Sequence, residues 1–555
     1  MRGAAALTDA GCAALRERAR DATPIGRGQT DWRLDPRDER IAWGATSPDD
    51  DDDDDDDDLD VSRDEQDALI IRRGLHARRP LYFRIERDSI EWDQDPQRLV
   101  RTLGIKCELD VGSLLHLLWR GRPRAAHALL QGIQSLQVGE ALICEPGAPP
   151  VVRRFAWPLQ AASVSHDASC LQEEALSRLR ASVDHVADAA RDIALFLSGG
   201  VDSGLLAALL RERHAVTGYT IAFDDDYGLN ETDYAASVAR ITGIRHRIVH
   251  LDVDHALQLL DRILDAPFPL TAPAAATHAA LIEATVADGH AVAVSGLGAD
   301  ECFGGYHKPL TCLAAQMHHQ RRLGVDLPGL YDLPAARLLG LDDVLFLGIA
   351  EFFSVDEMRR LSRDPQAVDA LLADDVAFYR QLLAVKPKAL PTEAMSAHEY
   401  VFRIGELLLP ALADNALMHG ARLDFPFLRQ DVYGWASAID PGLSYWYEAD
   451  AWWAKRLLRQ VAGRYLPPEI VMRKRQILLA PIAHWLLDSR FRKRVIDEVA
   501  DSDLWRIAPL TTRFRTALLS RLRAYDHVGD DGRWHEQLWV ILVLCSWINR
   551  HSASR

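Results

Sequence analysis

The chain has 555 residues, of which 48% are apolar and 26% are charged, a composition typical of a globular protein with sizeable cores. This length predicts two to four domains at roughly 150 residues per domain. The 64 basic and 81 acidic residues give a net charge of −17, and ten of the negative charges form the uninterrupted run Asp49–Asp58. A phosphate-backbone binder would show a basic patch or a high isoelectric point, so no nucleic-acid partner is expected.

The cysteines and the apolar runs indicate the compartment. The seven cysteines include no Cys-x-x-Cys pair, which argues against a zinc knuckle or a thioredoxin-type site and favours reduced thiols in a cytosol. The N-terminal segment has no apolar core long enough for a signal peptide. The most apolar run, Trp539–Ile548, is about half of what a bilayer span needs and predicts a buried helix. We therefore expect a cytoplasmic protein with no membrane partner.

The first 160 residues predict a small β-rich domain. Adjacent like charges repel one another and bury nothing, so Asp49–Asp58 is expected to be a solvated, disordered loop, with docking of a basic partner as the less favoured alternative. Short strand-like runs follow at Ala68–Arg72, Leu81–Glu86 and Ser89–Trp92. Proline and small polar residues in Ala156–Ala168 predict a linker to a second domain.

From about residue 170, short apolar strands alternate with helical runs. The predicted strands are Ile193–Leu197, Val216–Phe223, His246–Leu251 and Ala291–Ser295. The predicted helices are Ser203–Arg213, Thr232–Thr242, Ala256–Leu264 and Thr277–Ala287. This alternation argues for a doubly wound parallel sheet with crossover helices, and the chain beyond about residue 310 predicts a helical C-terminal region.

The most specific motif lies at the end of the first of these strands, where residues 195–203 are Leu-Phe-Leu-Ser-Gly-Gly-Val-Asp-Ser. Glycines let the backbone approach an anion, successive N–H groups can form a nest, and the N-terminus of the following helix favours negative charge. A carboxylate beside phosphates is repulsive unless it holds Mg²⁺, which predicts a magnesium role for Asp202. The alternative is an ordinary strand-to-helix turn, which the complete Ser-Gly-Gly-x-Asp-Ser pattern disfavours.

This motif resembles the phosphate loop of the ATP pyrophosphatase superfamily, and five further segments resemble class B asparagine synthetases. They are Ser295–Tyr306, Asn415–Leu428, Lys455–Arg459, Leu466–Glu469 and Arg473–Gln476. The resemblance runs in collinear order from about Leu171 to the last residue and extends weakly upstream, to Arg73–Tyr82 and Gly132–Leu136. It implies an α/β ATP-pyrophosphatase domain over residues 170–555, preceded by a smaller α+β degenerate glutamine amidotransferase-like domain over residues 1–160.

The resemblance implies that ATP and Mg²⁺ are the cofactors. Asp300 follows its strand as Asp202 follows its own, and parallel strands open on one carboxyl edge, so both aspartates are predicted metal ligands. A helix N-cap is the alternative role for Asp300. The predicted nucleotide-binding residues are Leu197, Ser198, Gly199, Gly200, Asp202, Ser203, Ile221 and Gly296, with adenine expected against Leu197 and Ile221.

Three basic residues are predicted to act on the phosphates or on proton transfer. Lys455 is expected to contact pyrophosphate, because a compact point charge suits it. Arg475 aligns with the family's catalytic lysine; it can stabilise charge but is a poor proton shuttle. Lys474 beside it is the alternative for that role, and a solvated basic helix end is the structural alternative for both residues.

Departures from the family pattern bear on the substrate. A working glutaminase of this family carries cysteine at residue 2; here residue 2 is arginine, and Cys12 lies in a helix-like stretch without the amine it would need, so glutamine hydrolysis is not expected. Leu297 occupies a position that is acidic in asparagine synthetases and that resembles a tyrosine in β-lactam-forming relatives. Leucine can supply neither group.

These departures favour a resemblance to the lasso-peptide macrolactam synthetases. Such enzymes adenylate an Asp or Glu side chain of a precursor peptide, and the peptide's own N-terminal amine closes an isopeptide ring. The expected partners are the precursor peptide, a leader peptidase and a leader-binding protein. The alternatives are an ammonia-dependent asparagine synthetase, a β-lactam-forming synthetase and a non-catalytic scaffold of the same fold.

Overall fold

A computed structural model describes most of the chain and divides it into two compact units, residues 1–157 with 401–410 and residues 158–400 with 411–555. The described residues are 33–34, 41–42, 59–64, 67–85, 90–104, 108–124, 126–159, 167–187, 192–223, 229–266, 268–305, 352–386, 391–440, 443–448, 451–474, 480–528 and 532–552. Cys12, the run Asp49–Asp58 and Arg475 lie outside these residues, so the predictions made for them stay predictions.

The first unit is built mainly from antiparallel strands. Its strands are β1 (Arg33–Leu34), β2 (Ile41–Ala42), β3 (Leu59–Arg63), β4 (Leu69–Arg73), β5 (Leu81–Ile85), β6 (Ile90–Asp93), β7 (Gln134–Leu136), β8 (Glu140–Cys144) and β9 (Val151–Arg154). They form a six-stranded sheet in the order β1-β2-β3-β4-β8-β9 and a three-stranded sheet in the order β6-β5-β7. The three strand-like runs predicted here are confirmed as β4, β5 and β6, with boundaries shifted by one residue.

Alternating side chains explain the core of this unit. Leu59, Val61, Leu69 and Ile71 are buried at every second position of β3 and β4, the period of a half-buried strand. Two helices accompany the sheets, α1 (Pro96–Leu103) and α2 (Val111–Arg120), and each begins after an aspartate whose side chain accepts backbone N–H bonds. The unit is therefore α+β; its resemblance to a glutaminase domain stays a prediction.

The second unit contains the predicted parallel sheet. Its strands are β10 (Asp192–Phe196), β11 (Ala215–Ala222), β12 (Arg245–His250), β13 (Val292–Val294) and β14 (Arg422–Asp424). All pairs are parallel, in the order β12-β11-β10-β13-β14. The four predicted strands are confirmed as β10 to β13. β14 was not predicted, because its sequence Arg-Leu-Asp lacks the continuous apolar run that marks the equally short β13.

Helices connect and extend this sheet. They are α3 (Ala168–Ala187), α4 (Val201–Arg211), α5 (Thr232–Thr242), α6 (Val253–Leu264), α7 (Ala275–Ala287), α8 (Ala299–Phe303), α9 (Val355–Leu361), α10 (Pro365–Val385), α11 (Pro391–Glu399), α12 (Leu409–Met418), α13 (Gln430–Ala436), α14 (Arg456–Ala462), α15 (Pro468–Val471), α16 (Ile482–Trp485), α17 (Ser489–Ala500), α18 (Leu504–Ile507), α19 (Thr512–Arg523) and α20 (Gly532–Ser552). The other assigned elements are a π-helix (Tyr400–Leu408), a 3₁₀-helix (Pro426–Leu428) and a hairpin of β15 (Trp446–Glu448) and β16 (Ala451–Trp453).

The apolar run Trp539–Ile548 lies within α20, and all of its side chains are buried, as predicted. In the part of the chain that the structure describes, no helix has the length and apolar character needed to span a membrane.

The strand order determines where a ligand can bind. β10 lies between β11 and β13. The chain passes outward from β10 to β11 and β12, and then crosses back to the other side of β10 to form β13. In doubly wound sheets a crevice forms outside the carboxyl ends of the strands at this point. The segments that follow β10 and β13 carry Asp202 and Asp300, so the topology brings the two predicted metal ligands to one edge.

Candidate active site

The predicted phosphate loop is the turn between β10 and α4. Gly200 is the N-cap of α4, and Asp202 lies in the first turn of that helix. Gly199 has a φ of +69°, and a Cβ atom there would lie 2.4 Å from the backbone nitrogen of Ala235, so the loop requires glycine at this position. The Ser203 hydroxyl accepts the Ser198 N–H at 3.2 Å, which ties the start of the loop to the helix.

A second turn, between β13 and α8, lies beside the phosphate loop. A Cβ atom on Gly296 would be 3.4 Å from the Asp202 Cβ, which places the two turns in contact. Gly298 is the N-cap of α8 and Asp300 lies one residue inside the helix. The N-cap alternative for Asp300 is therefore wrong.

Lys455 joins the two turns. Its Nζ lies 2.6 Å from Asp202 Oδ2 and 2.6 Å from Asp300 Oδ1, and its side chain is 5% exposed. Burial by itself would lower the pKa of Lys455, but the two carboxylates outweigh burial and raise it above its ordinary value. The lysine is therefore charged at neutral pH and neutralises much of the repulsion between the aspartates.

The backbone at Lys455 is unusual for a residue with a side chain. Its φ is +61°, in the left-handed region, and it directly precedes α14. Non-glycine residues adopt this conformation at a cost, and such residues concentrate at functional sites. Here the conformation allows the side chain to reach both aspartates from the start of the helix.

The aspartate pair suits a magnesium ion. Asp202 Oδ1 is buried and has no hydrogen-bond partner among the described residues. Magnesium prefers oxygen ligands and is commonly held by one or two carboxylates together with substrate phosphates. Asp202 and Asp300 would supply the protein ligands. No cluster of three or more potential ligands of the His, Cys, Asp or Glu type was found in the described ranges.

The remaining predicted site residues differ in their exposure to solvent. Leu197 and Ile221 are buried at the ends of β10 and β11, so the adenine contact proposed for them stays a prediction. Lys474 follows α15 and is exposed to solvent. The catalytic role predicted for Lys474 therefore stays a prediction.

Two buried arginines were missed as site residues, although both lie in segments that resemble the family's C-terminal block. Arg473 donates to the Ser198 carbonyl at 3.1 Å and forms an ion pair with Glu231 at 2.7 Å. Arg459 donates to the carbonyls of Ala454 at 2.8 Å and of Arg473 at 3.2 Å. The partners of Arg473 are distant in sequence, so no local pattern could have identified its contacts. Those of Arg459 lie 5 and 14 residues away, and its contacts follow from the fold of the segment that contains α14 and α15.

These features define a class: an α/β protein whose parallel sheet presents a phosphate loop, an aspartate pair and a buried lysine at one edge. The asparagine synthase family model matches residues 174–549, and the chain belongs to this family. The family is one of asparagine synthetase-like, ATP-dependent amide ligases.

Curated relatives are similar over much of the chain. A protein of Mycobacterium bovis named putative asparagine synthetase (glutamine-hydrolyzing) is 26% identical over 477 residues, which cover 81% of this chain and 69% of that protein. Asparagine synthetase (glutamine-hydrolyzing) 1 of Bacillus subtilis is 25% identical, covering 63% and 55%. Amidase chyE of Penicillium rubens is 27% identical, covering 43% and 38%.

Proposed function

We propose that this protein is an AMP-forming amide ligase that activates a carboxylate as its acyl adenylate. The observation that carries the proposal is the convergence of Asp202, Asp300 and Lys455 beside a glycine-rich loop, with both Nζ–oxygen distances at 2.6 Å. Paired carboxylates next to an anion-binding loop are unfavourable unless a cation accompanies the phosphates. A bound Mg²⁺ would supply that charge and stabilise the departing pyrophosphate.

The residues of the chain would act at two points of the reaction. A substrate carboxylate oxygen attacks the α-phosphorus of ATP and the bond to the β-phosphate breaks. The pyrophosphate is received by the N–H groups of the loop at 199–201, while Lys455 exchanges its aspartate contacts for phosphate oxygens. An amine then attacks the acyl carbon, AMP leaves with the bonding electrons, and the new amide nitrogen loses one proton to solvent. Arg475 or Lys474 is proposed to stabilise the charge that develops.

The substrate we propose is a precursor peptide that supplies both the carboxylate and the amine, as in a lasso-peptide macrolactam synthetase. Support comes from Leu297, whose apolar side chain replaces the ionisable groups of the small-substrate enzymes; its backbone N–H donates to Ser295 Oγ at 3.3 Å. An amine within the same peptide has a high effective concentration and needs no separate ammonia source. The peptide, a leader peptidase and a leader-binding protein would be the partners.

A second candidate is an asparagine synthetase. The Mycobacterium bovis relative, named as a putative asparagine synthetase, is similar over 81% of this chain. In that case the carboxylate would belong to free aspartate and the nucleophile would be ammonia. The replacement at Leu297 is the feature that argues against this candidate.

The experiment offers both substrate sets to the protein with ATP and Mg²⁺. One set is a small peptide encoded beside this chain, with its N-terminus free or acetylated, and the other is aspartate with ammonia or glutamine. The proposal predicts loss of one water from the free peptide alone and release of AMP. Asparagine formation would identify the second candidate, and no AMP with either set would identify a scaffold.

A further inference from the structure

We propose that Arg473 is a positioning residue that holds the Ser198–Gly199 peptide in the orientation the loop needs to bind pyrophosphate. The inference rests on the proposed function of the loop and adds a residue that acts through the backbone rather than on the substrate. The supporting observations are the bond to the loop and the packing around the guanidinium.

The bond to the loop has a direct geometric consequence. Arg473 Nη1 donates to the Ser198 carbonyl oxygen at 3.1 Å. In a planar trans peptide the C=O and the following N–H point in opposite directions. A carbonyl held by Arg473 therefore turns the Gly199 N–H to the opposite side. If this peptide rotated, a carbonyl oxygen would face the phosphates where an N–H donor is needed.

Glycine makes such a rotation accessible. Gly199 already has a φ of +69°, and it has no side chain that would restrict its conformation. The Ser203 hydroxyl, which accepts the Ser198 N–H, restrains the preceding peptide but not this one. The Arg473 bond restrains the peptide on which the first donor of the loop depends.

The guanidinium is itself held on two further sides. Arg473 Nη2 lies 2.7 Å from Glu231 Oε1, and the two side chains are 11% and 9% exposed. Its carbon lies 3.9 Å from the centre of the Tyr234 ring. Glu231 precedes α5 and Tyr234 lies in its first turn. The planar fork of arginine can serve a carboxylate, a carbonyl and a ring face together, which a lysine ammonium cannot.

The test compares Arg473→Lys with a matched control, Arg154→Lys. Arg154 lies in the other unit and makes the same three kinds of contact: 2.8 Å to Glu140, 2.6 Å to the Val138 carbonyl and 4.8 Å to the Trp157 ring. Binding of Mg-pyrophosphate and of AMP is measured by calorimetry for each protein, with the melting temperature as a record of folding. A second variant, Glu231→Gln, keeps Arg473 but removes the charge of the carboxylate that pairs with it.

The proposal predicts that Arg473→Lys weakens Mg-pyrophosphate binding tenfold or more and leaves AMP binding within twofold. Glu231→Gln should give a smaller loss in the same direction, and Arg154→Lys should change neither affinity. Unchanged pyrophosphate binding in Arg473→Lys, or equal losses for both ligands, would overturn the positioning role. If Arg473→Lys does not fold, the loss of Mg-pyrophosphate affinity relative to the loss of AMP affinity in Glu231→Gln decides instead. Absence of pyrophosphate and ATP binding in the unaltered protein would instead refute the proposed function.

Discussion

Replacing Lys455 with methionine removes the charge between Asp202 and Asp300 while nearly preserving side-chain length. At 2.6 Å and an effective dielectric constant of 20, each ion pair has a Coulomb energy of about 6 kcal/mol before desolvation. Breaking buried pairs costs about 3–5 kcal/mol, and the carboxylates here are 29% and 17% exposed, which lowers the cost to about 2–3 kcal/mol. For a unit of this size we expect the melting temperature to fall by about 2–4 °C.

The variant also makes a prediction that depends on magnesium. With Lys455 absent, the two aspartates lack their counter-charge, so Mg²⁺ without nucleotide should stabilise Lys455→Met more than it stabilises the unaltered protein. Mg-pyrophosphate binding should nevertheless weaken, because the lysine no longer reaches the phosphates. Thermal melting with and without Mg²⁺, and calorimetry with Mg-pyrophosphate, measure the two effects.

A matched control is available in the same unit. Lys386 Nζ lies 2.6 Å from a carboxylate oxygen of Glu393, and both side chains are largely buried. Lys386→Met should lower the melting temperature without a magnesium-dependent recovery and without a change in pyrophosphate binding. The reasoning would be refuted if Mg²⁺ stabilised both variants equally, or if Lys455→Met bound Mg-pyrophosphate as tightly as the unaltered protein.

Three further predictions follow from other parts of the chain. Gly305→Ala should abolish Mg-ATP binding in calorimetry, because its Cβ would lie 1.7 Å from Asp300 Oδ1, whereas Gly434→Ala, which has room for a methyl group, should not. Burial lowers the pKa of His278 from 6.5 to about 4, so the unfolded chain binds the proton more readily and stability should fall between pH 6.5 and 4. His278→Gln should remove up to about 3 kcal/mol of that loss in urea titrations. Deleting Asp49–Asp58 should leave the melting temperature and the turnover rate nearly unchanged, and a large loss of rate at constant stability would indicate a docking role.

The sequence predicted the α/β unit well because its elements carry strong local signals. Thr232–Thr242 was predicted with the boundaries that the structure has, since it combines an apolar face with a glycine directly after it. By contrast, β14 (Arg422–Asp424) has three residues, and its place at the sheet edge depends on pairing with β13. β13 is equally short but is a continuous apolar run, whereas two of the three residues of β14 are charged, so β14 carries no local strand signal.

The candidate site was predictable where one short motif contains the chemistry. Asp202 and Asp300 each follow a strand that the sequence predicts, so topology alone brings them to one edge. Their bridge by Lys455 and the bond from Arg473 to the phosphate loop depend on side chains that come from more than 150 residues away along the chain. Such contacts are set by tertiary packing, which local patterns do not encode.

The measurement that tests the central claim most directly is the exchange of labelled pyrophosphate into ATP, with the precursor peptide and Mg²⁺ present. The account predicts peptide-dependent exchange by the unaltered protein and a loss of several orders of magnitude in Asp202→Asn and in Asp300→Asn, with both variants folded. Near-normal exchange in either variant would remove that aspartate from the metal site. If the unaltered protein shows no exchange with either the peptide or aspartate, the claim that this chain adenylates a carboxylate is contradicted.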